Sequence, residues 1–297
     1  MPANITVASV QQYKANVELL LQQKDSRLRN AVTVGSYVGK KASVVEQFGE
    51  ATAQLKTTRH GDTPLLDISQ DKRWVIPADY EWASLVDNED QLRAIIELTS
   101  PYAQAGAAAM QRAIDDVILT AIFGTNYTGE DGTTSETFGT VGSGTYDVGV
   151  NVGGTASGLN VPKLQNAIRL LMTANKGEVM EPVHGAISAY EHDLLLKEVQ
   201  INNKDYGNSA VLVDGKVKRF MGVDFILTER LTVTGGNRLV PIWLKSGMHL
   251  GMWKDVAAEI TKRADKSYAT QVYLCMTLGA TRTQLGKQIR VNCDDQI

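Results

Sequence analysis

Ser188, His192 and Asp193 bring a hydroxyl, an imidazole and a carboxylate within one short stretch, the side-chain types of nucleophilic acyl transfer. That chemistry needs the groups to converge from different elements. Here Ser188 and His192 stand at i and i+4 of one predicted helix, and Ser188 with Glu191 has the spacing of a capping box, which engages the hydroxyl with backbone. The histidines His60, His184, His192 and His249 are scattered, and none has a cysteine or second histidine at zinc spacing. The run "GTVGSGTYDVGVNVGG" (139–154) invites comparison with a phosphate cradle. It neither follows a clean strand nor opens a helix, and it lacks G-x-G-x-x-G; no G-x-x-x-x-G-K-[ST] occurs either. "DNED" (87–90) reads as the negative charge preceding a helix, since a calcium loop needs a twelve-residue ladder of ligands. Cys275 reads as a buried or interface thiol. Lys216, Lys218 and Arg219, ahead of the alternating run Val223, Phe225, Leu227, resemble a phosphate clamp, a cleft edge or the solvated start of a strand. Three charges make a small phosphate footprint. No catalytic constellation, cofactor site or metal site emerges, and the expectation is a protein that is not an enzyme.

The bulk numbers agree. The chain has 297 residues, 43% hydrophobic and 21% charged, with 33 acidic and 30 basic residues and a net charge of −3. That is an ordered globular composition with no global field toward nucleic acid or anionic lipid. The N-terminal stretch "MPANITVASVQQYKANVELL" lacks a basic region followed by an apolar one, so no secretory signal is expected. No run of about 18 apolar residues occurs, so no membrane partner is expected. Two cysteines, Cys275 and Cys293, cannot build a disulfide scaffold, and a reducing compartment is the simpler reading.

The elements that must position these residues follow from periodicity. Val10, Tyr13, Val17, Leu20, Leu21 and Leu28 make an amphipathic helix over 6–29. Residues 44–88 mix β-prone runs with turn signals at "HGDTP" and "SQDK" and supply few large aliphatics, which predicts a two-stranded protruding loop with its tip near His60–Pro64. Trp74, Tyr80 and Trp82 give this stretch an ordered partner surface. A long helix is predicted over 101–123, N-capped by Ser100, opened by Pro101 and closed by Gly124, with a stripe of Met110, Ala113, Ile114, Val117, Ile118, Ala121 and Ile122. Residues 124–158 hold ten of the 26 glycines and read as a loop or loose hairpin. From Asn160 and Pro162 a helix carries Leu164, Ala167, Ile168, Leu171 and Met172 to Gly177; "VHGAI" is a buried strand, and the helix capped by Ser188 and Glu191 follows. The last segment reads as strands: "VPIWLK", "GMHLGMW", "AEITKR", "YATQVYLCMTLGATRT" and "KQIRVNC". In the fourth, Val272, Leu274, Met276, Leu278 and Ala280 share a face.

Two stretches carry a resemblance, "GAISAYEHDLLLKEVQINNKDYGNSAVLVDGKVKRFMGVDFILTERL" (185–231) and "MHLGMWKDVAAEITKRADKSYATQVYLCMTLGATRTQLGKQIRVNC" (248–293). In order and character the chain resembles the major capsid proteins of tailed double-stranded-DNA bacteriophages, which have the Hong Kong 97 phage fold. The resemblance implies an α+β chain with an N-terminal arm (1–35), an extended E-loop hairpin (44–88) and an axial A-domain (160–235). It also implies a peripheral P-domain (36–43, 89–159 and 236–297) that includes the spine helix 101–123. The E-loop would overlap an adjacent subunit, "NNKDYGN" (202–208) would lie in a connecting loop, and Lys216, Lys218 and Arg219 would be a solvated or subunit-contacting lead-in. Subunit-interface candidates are Arg59, Asp62, Lys72, Arg73, Trp74, Trp82, Asn203, Asp205 and Tyr206.

The implied function is structural: self-assembly into pentamers and hexamers that close an icosahedral virion head, assembled in the host cytoplasm around DNA contacted nonspecifically. Implied partners are further copies of the chain, a portal protein, decoration proteins and a separate scaffolding protein, the last because the arm helix starts within ten residues of Met1. The Lys–Asn crosslink known in the type member is not carried over to Lys56 or Lys72, which match no linking motif. An encapsulin-like nanocompartment shell is the first alternative, and an α/β enzyme is the alternative from another class.

Overall fold

The clearest helical pattern in the sequence forms the longest helix among the residues that the computed structural model describes, 22–59, 65, 67–87, 99–139, 146–153, 156–177, 179–198, 212–213 and 216–295. This helix, α1, spans Thr99–Phe123. It includes Ser100, so the expected N-cap lies inside the helix. Gly124 follows without the left-handed conformation of a glycine cap. What glycine supplies there is room, since a Cβ would sit 2.7 Å from the Thr120 carbonyl oxygen.

The helix lies on a four-stranded sheet ordered β1 (Thr33–Ser36), β15 (Met248–Arg263), β16 (Ala269–Arg282), β4 (Ala78–Val86). "GMHLGMW" and "AEITKR", expected as two strands, are the single sixteen-residue β15. Register shifts between Met252 and Ala257 mark where its two halves change pairing. In β16, Val272, Leu274, Met276 and Leu278 alternate into the core as the period predicts, and with Ile114, Ile118 and Ile122 of α1 they are at most 1% exposed. Helix and sheet meet closely at Gly106, where a Cβ would lie 2.5 Å from the Trp82 ring and 2.7 Å from Leu274.

β2 (Ala42–Phe48) and β3 (Gln70–Val75) form the antiparallel hairpin, from Ala42↔Val75 to Phe48↔Gln70. The hairpin ends at Val75, not at residue 88. Tyr80, Trp82, Ser84 and Val86 alternate inward from β4, so that strand belongs to the sheet beneath α1. The predicted tip, His60–Pro64, lies outside the described residues. The glycine-rich stretch, expected as a loop or loose hairpin, forms in its first part a hairpin of β5 (Thr125–Thr128) and β6 (Thr134–Thr137), which extends β2 and β3 to a sheet ordered β2-β3-β5-β6. Its threonines favour strand, and Gly129 and Gly132, with φ of 85° and 64°, make the turn.

The third large sheet is ordered β11 (Arg219–Phe220), β12 (Val223–Leu227), β8 (Val183–Ile187), β14 (Asn237–Leu244), β17 (Gln288–Asp294), β7 (Asp147–Val148), with β13 (Val233–Thr234) paired beside β14. This moves a boundary. β14 and β17 were expected in the peripheral unit from 236 onward, yet both pair inside the sheet of the 160–235 unit. Val240, Ile242, Trp243 and Leu244 are 0–2% exposed, and consecutive residues buried on both faces require a central strand. Two helices accompany it: α2 (Val161–Ala174), N-capped by the Asn160 side chain accepting from the Lys163 backbone N–H, and α3 (Ala189–Lys197), with the predicted Ser188–Glu191 capping box. A two-stranded ribbon joins β9 (Leu212–Val213) to β10 (Lys216–Val217).

The expected helix 6–29 lies outside the described residues up to 21. From Gln22 to Leu28 the chain is not helical, and Arg29–Ala31 is one 3-10 turn.

Candidate assembly surfaces

The residues that first suggested chemistry carry out separate structural tasks. Ser188 is buried, and its backbone N–H donates to Glu191 at 3.0 Å. His192 Nε2 accepts the Val217 N–H at 3.1 Å, and Asp193 pairs with Lys197 at 2.7 Å. His184 lies tilted against Trp243, and burial lowers its pKa. Cys293 is fully buried, and desolvation pushes its thiol up to about 12, which leaves it protonated and inert. Cys275 is half-buried with Lys254 Nζ 3.0 Å from its sulfur. Among the described residues, no group of three or more His, Cys, Asp or Glu could hold a metal ion, and no helix is long and apolar enough to cross a membrane.

Three buried polar anchors organise the subunit instead. Asp115 is fully buried on the apolar stripe of α1 and faces the arm. It accepts from Ser26 Oγ at 2.6 Å, from the backbone N–H groups of Arg27 and Leu28 at 3.1 Å each, and from the Gln23 amide. A carboxylate that takes two backbone N–H groups of the arm holds it in a non-helical path, which is why the helix expected there does not extend through 28. Trp243 Nε1 donates to the Ala31 carbonyl at 3.0 Å and fixes the next turn.

The second anchor is His249. Its Nδ1 pairs with Thr33 Oγ1 and its Nε2 with Tyr37 Oη, each at 2.9 Å, so one ring bridges β15 to β1 and the residue beyond it. Burial lowers its pKa to about 4, leaving a neutral imidazole.

The third anchor is Arg282, fully buried where the helix, the hairpin sheet and β16 converge. It donates to Ile122 O at 3.1 Å and Glu136 O at 3.2 Å, and also to the Gly124 carbonyl. A cation on the last carbonyls of α1 closes the helix end and complements its dipole, the task expected of Gly124. Desolvation lowers its pKa to about 10, so the charge persists at neutral pH. Phe138 lies beneath both Arg282 and Arg290, 5.4 and 5.1 Å from the ring centre.

The same junction takes up two residues expected at subunit contacts. Arg73 is only 8% exposed; its guanidinium is held by Glu136, with Asp71 at 3.4 Å, and does not face outward. Trp74 is half-buried, donates to Gly129 O at 2.7 Å and lies under Lys41, 4.6 Å from its ring centre. Trp82, also half-buried, packs on Gly106 of its own subunit. Lys72 pairs with Glu46 at 3.5 Å, and Arg59 is exposed. Asp62, Asn203, Asp205 and Tyr206 lie outside the described residues, as does "NNKDYGN". Lys218 and Arg219 are exposed, the latter 3.5 Å from Asp224. Beyond the hairpin root, large apolar side chains stand in solvent: Phe48 is 66%, Leu55 88% and Leu65 96% exposed.

A rigid root, buried polar ties and a hairpin with uncovered apolar side chains define a structural building block. Residues 5–295 match the phage capsid protein family, and the chain belongs to it. Its fold is similar to the capsid of cyanophage P-SCSP1u, with a TM-score of 0.73 at 13% identity, covering 99% of this chain and 95% of that one. It is similar to the capsid of cyanophage Pam1, with a TM-score of 0.69 at 13% identity and 99% coverage of both chains. The capsid of Ralstonia phage GP4 aligns with a TM-score of 0.66 at 9% identity, covering 100% and 98%. No curated protein sequence matches the chain. The α+β architecture is the Hong Kong 97-type capsid fold.

Proposed function

We propose that the chain is the repeating subunit of an icosahedral phage head, joined as pentamers and hexamers around double-stranded DNA. In this reading β2 and β3 form the E-loop, and α1 on its four-stranded sheet is the peripheral unit with its spine. The seven-stranded sheet with α2 and α3 is the axial unit. The protein has a structural role, self-associates and resides in the virion capsid; assembly in the host cytoplasm with a scaffolding protein, a portal protein and decoration proteins completes the reading. Arg59 and Lys72, on the hairpin, remain the contact residues of choice among those described. DNA contact is nonspecific, since a net charge of −3 gives no broad basic surface.

One observation carries this reading: the hairpin leaves its own sheet at Phe48 and Gln70 with Phe48, Leu55 and Leu65 exposed. An uncovered apolar projection of that kind is stable when a neighbour covers it. Electron microscopy of the expressed chain, alone and with its scaffolding protein, tests the proposal. Closed shells are expected from the intact chain, and folded but unassembled subunits when residues 51–68 are replaced by a short Gly-Ser linker. An intact chain that stays monomeric in both settings would overturn it.

A further inference from the structure

Cys275 lies mid-strand in β16, on the face of the sheet turned away from α1, where Tyr273, Cys275 and Thr277 are all half-buried. Its two neighbours on that face are tied to β4. The Tyr273 hydroxyl donates to Glu81 at 3.4 Å, and Thr277 Oγ1 donates to Asp79 at 2.6 Å. Cys275 takes its partner from the other side, where the Lys254 ammonium of β15 stands 3.0 Å from its sulfur.

A defect in the pairing brings these two groups together. β15 and β16 pair as Met252↔Leu278, Lys254↔Thr277 and Ala257↔Cys275, so five steps along β15 (252 to 257) match three along β16 (278 to 275). Irregularities of this kind re-aim side chains. Lys254 pairs with Thr277, and its long side chain runs diagonally to the residue two positions along. Directly opposite the sulfur, β15 offers only the Ala257 methyl as cover. Lys254 is exposed and Cys275 half-buried, so a small solute reaches both. The contact is also felt in the Lys254 pKa, which is raised chiefly by its hydrogen bond with Cys275.

We propose that Cys275 and Lys254 are the two halves of a reversible covalent bridge, closed by a hydroperoxide and opened by a thiol reductant. In the first step the peroxide transfers an oxygen atom to the thiol, the sulfur is oxidised to a sulfenic acid, and the peroxide is reduced to water. In the second the neutral Lys254 amine attacks that sulfur: the S–N bond of a sulfenamide forms, the S–O bond breaks, and the hydroxide leaves as water with the amine proton. The contact that raises the Lys254 pKa is with the unoxidised sulfur, so oxidation itself frees the amine to deprotonate. A dithiol reverses the bridge and leaves as its own disulfide. The bond would clamp β15 to β16 at the point where their regular pairing lapses. Cys293, fully buried and protonated, has no such route and serves as the control within the same chain.

The test is peptide mapping of the folded chain after treatment with hydrogen peroxide and alkylation of the remaining thiols. Closure of the bridge blocks trypsin after Lys254. Residues 246–262 and 267–282 should then appear as one joined species, about 2 Da lighter than the sum of its parts for the two hydrogens lost. Dithiothreitol should separate them, and oxidation of the chain in urea should not join them. Cys275→Ser should abolish the species. Lys254→Arg keeps the cation and the thiol but not the amine, so oxidation should halt at the sulfenic acid, and its labelling by dimedone should exceed that of the wild type by roughly tenfold. A merely exposed thiol would label equally in both. Free cleavage after Lys254 in peroxide-treated wild type, equal dimedone labelling in the two chains, or Cys275 recovered only as a disulfide with a second copy would each overturn the proposal.

Discussion

Gly106 shows how a single hydrogen atom decides the fit between helix and sheet. In an exposed helix, Gly→Ala stabilises by about 1 kcal/mol. Here the added Cβ would stand 2.5 Å from Trp82 and 2.7 Å from Leu274, and overpacking costs about 1–3 kcal/mol. Gly106→Ala should therefore destabilise the subunit by about 1–2 kcal/mol in urea unfolding; a gain in stability would mean that helix and sheet separate easily. Deletion on the same stripe acts in the other direction. Ile118 is 0% exposed, and Ile118→Ala should cost about 2–5 kcal/mol by leaving a cavity. Lys218→Ala, at an exposed position, should change stability by less than about 0.5 kcal/mol. Thermal midpoints of the two variants, run beside the wild type, check the contrast.

At the scale of elements, the hairpin is the part whose surroundings the subunit does not complete. Residues 51–59 are all exposed, while β2 and β3 are fastened to β5 through Arg73↔Thr128 and Trp74↔Tyr127. Limited proteolysis should cut between residues 50 and 59 in free subunits and leave the root intact, and assembled shells should protect the same bonds. Equal cleavage in both states would remove the hairpin from the contact surface. Long periodic segments were legible in the sequence: the stripe of α1, the alternation of β16, the Asn160 cap and the Ser188–Glu191 box each have a local cause. What escaped was pairing at a distance. β4 looks like a continuation of the hairpin until β16 pairs along its edge, and the pairing of β5 with β3 has no local signal. Residue roles escaped for the same reason. Asp115 interrupts an apolar stripe, a readable sign of a buried acceptor, but nothing local says that its donors come from residues 23–28. Arg282 closes a strand in sequence and a helix in space.

At the scale of the whole molecule, one neutral imidazole links β1 and the residue beyond it to β15, and its titration gives the subunit a pH dependence of known sign. His249 has a pKa of about 4 in the fold against an ordinary 6.5. Between those values the unfolded chain binds a proton that the folded chain refuses, so stability rises with pH through this window. The contribution is complete above about pH 6.5, declines as the pH falls toward 4, and does not change further below that. The full gap corresponds to about 3 kcal/mol, and the partial solvent access of the ring reduces it to about 2 kcal/mol. Thr33 Oγ1 donates to the Met248 carbonyl and therefore accepts from the Nδ1–H, so protonation would make Nε2 a second donor and require the Tyr37 hydroxyl to turn from donor to acceptor. Carboxylates act in a lower window: Asp265, held at about 2 by Arg263, contributes above its ordinary 3.8 and loses that contribution only as the pH falls toward 2. The two effects are thus separable. Thermal midpoints measured from pH 7 to pH 4 should fall for the wild type, and His249→Gln, which keeps a side chain able to donate and accept but does not titrate, should flatten that part of the curve. A wild-type midpoint that stays level from pH 6.5 to 4.5, or a variant that falls just as steeply, would show that β1 is not held through this ring.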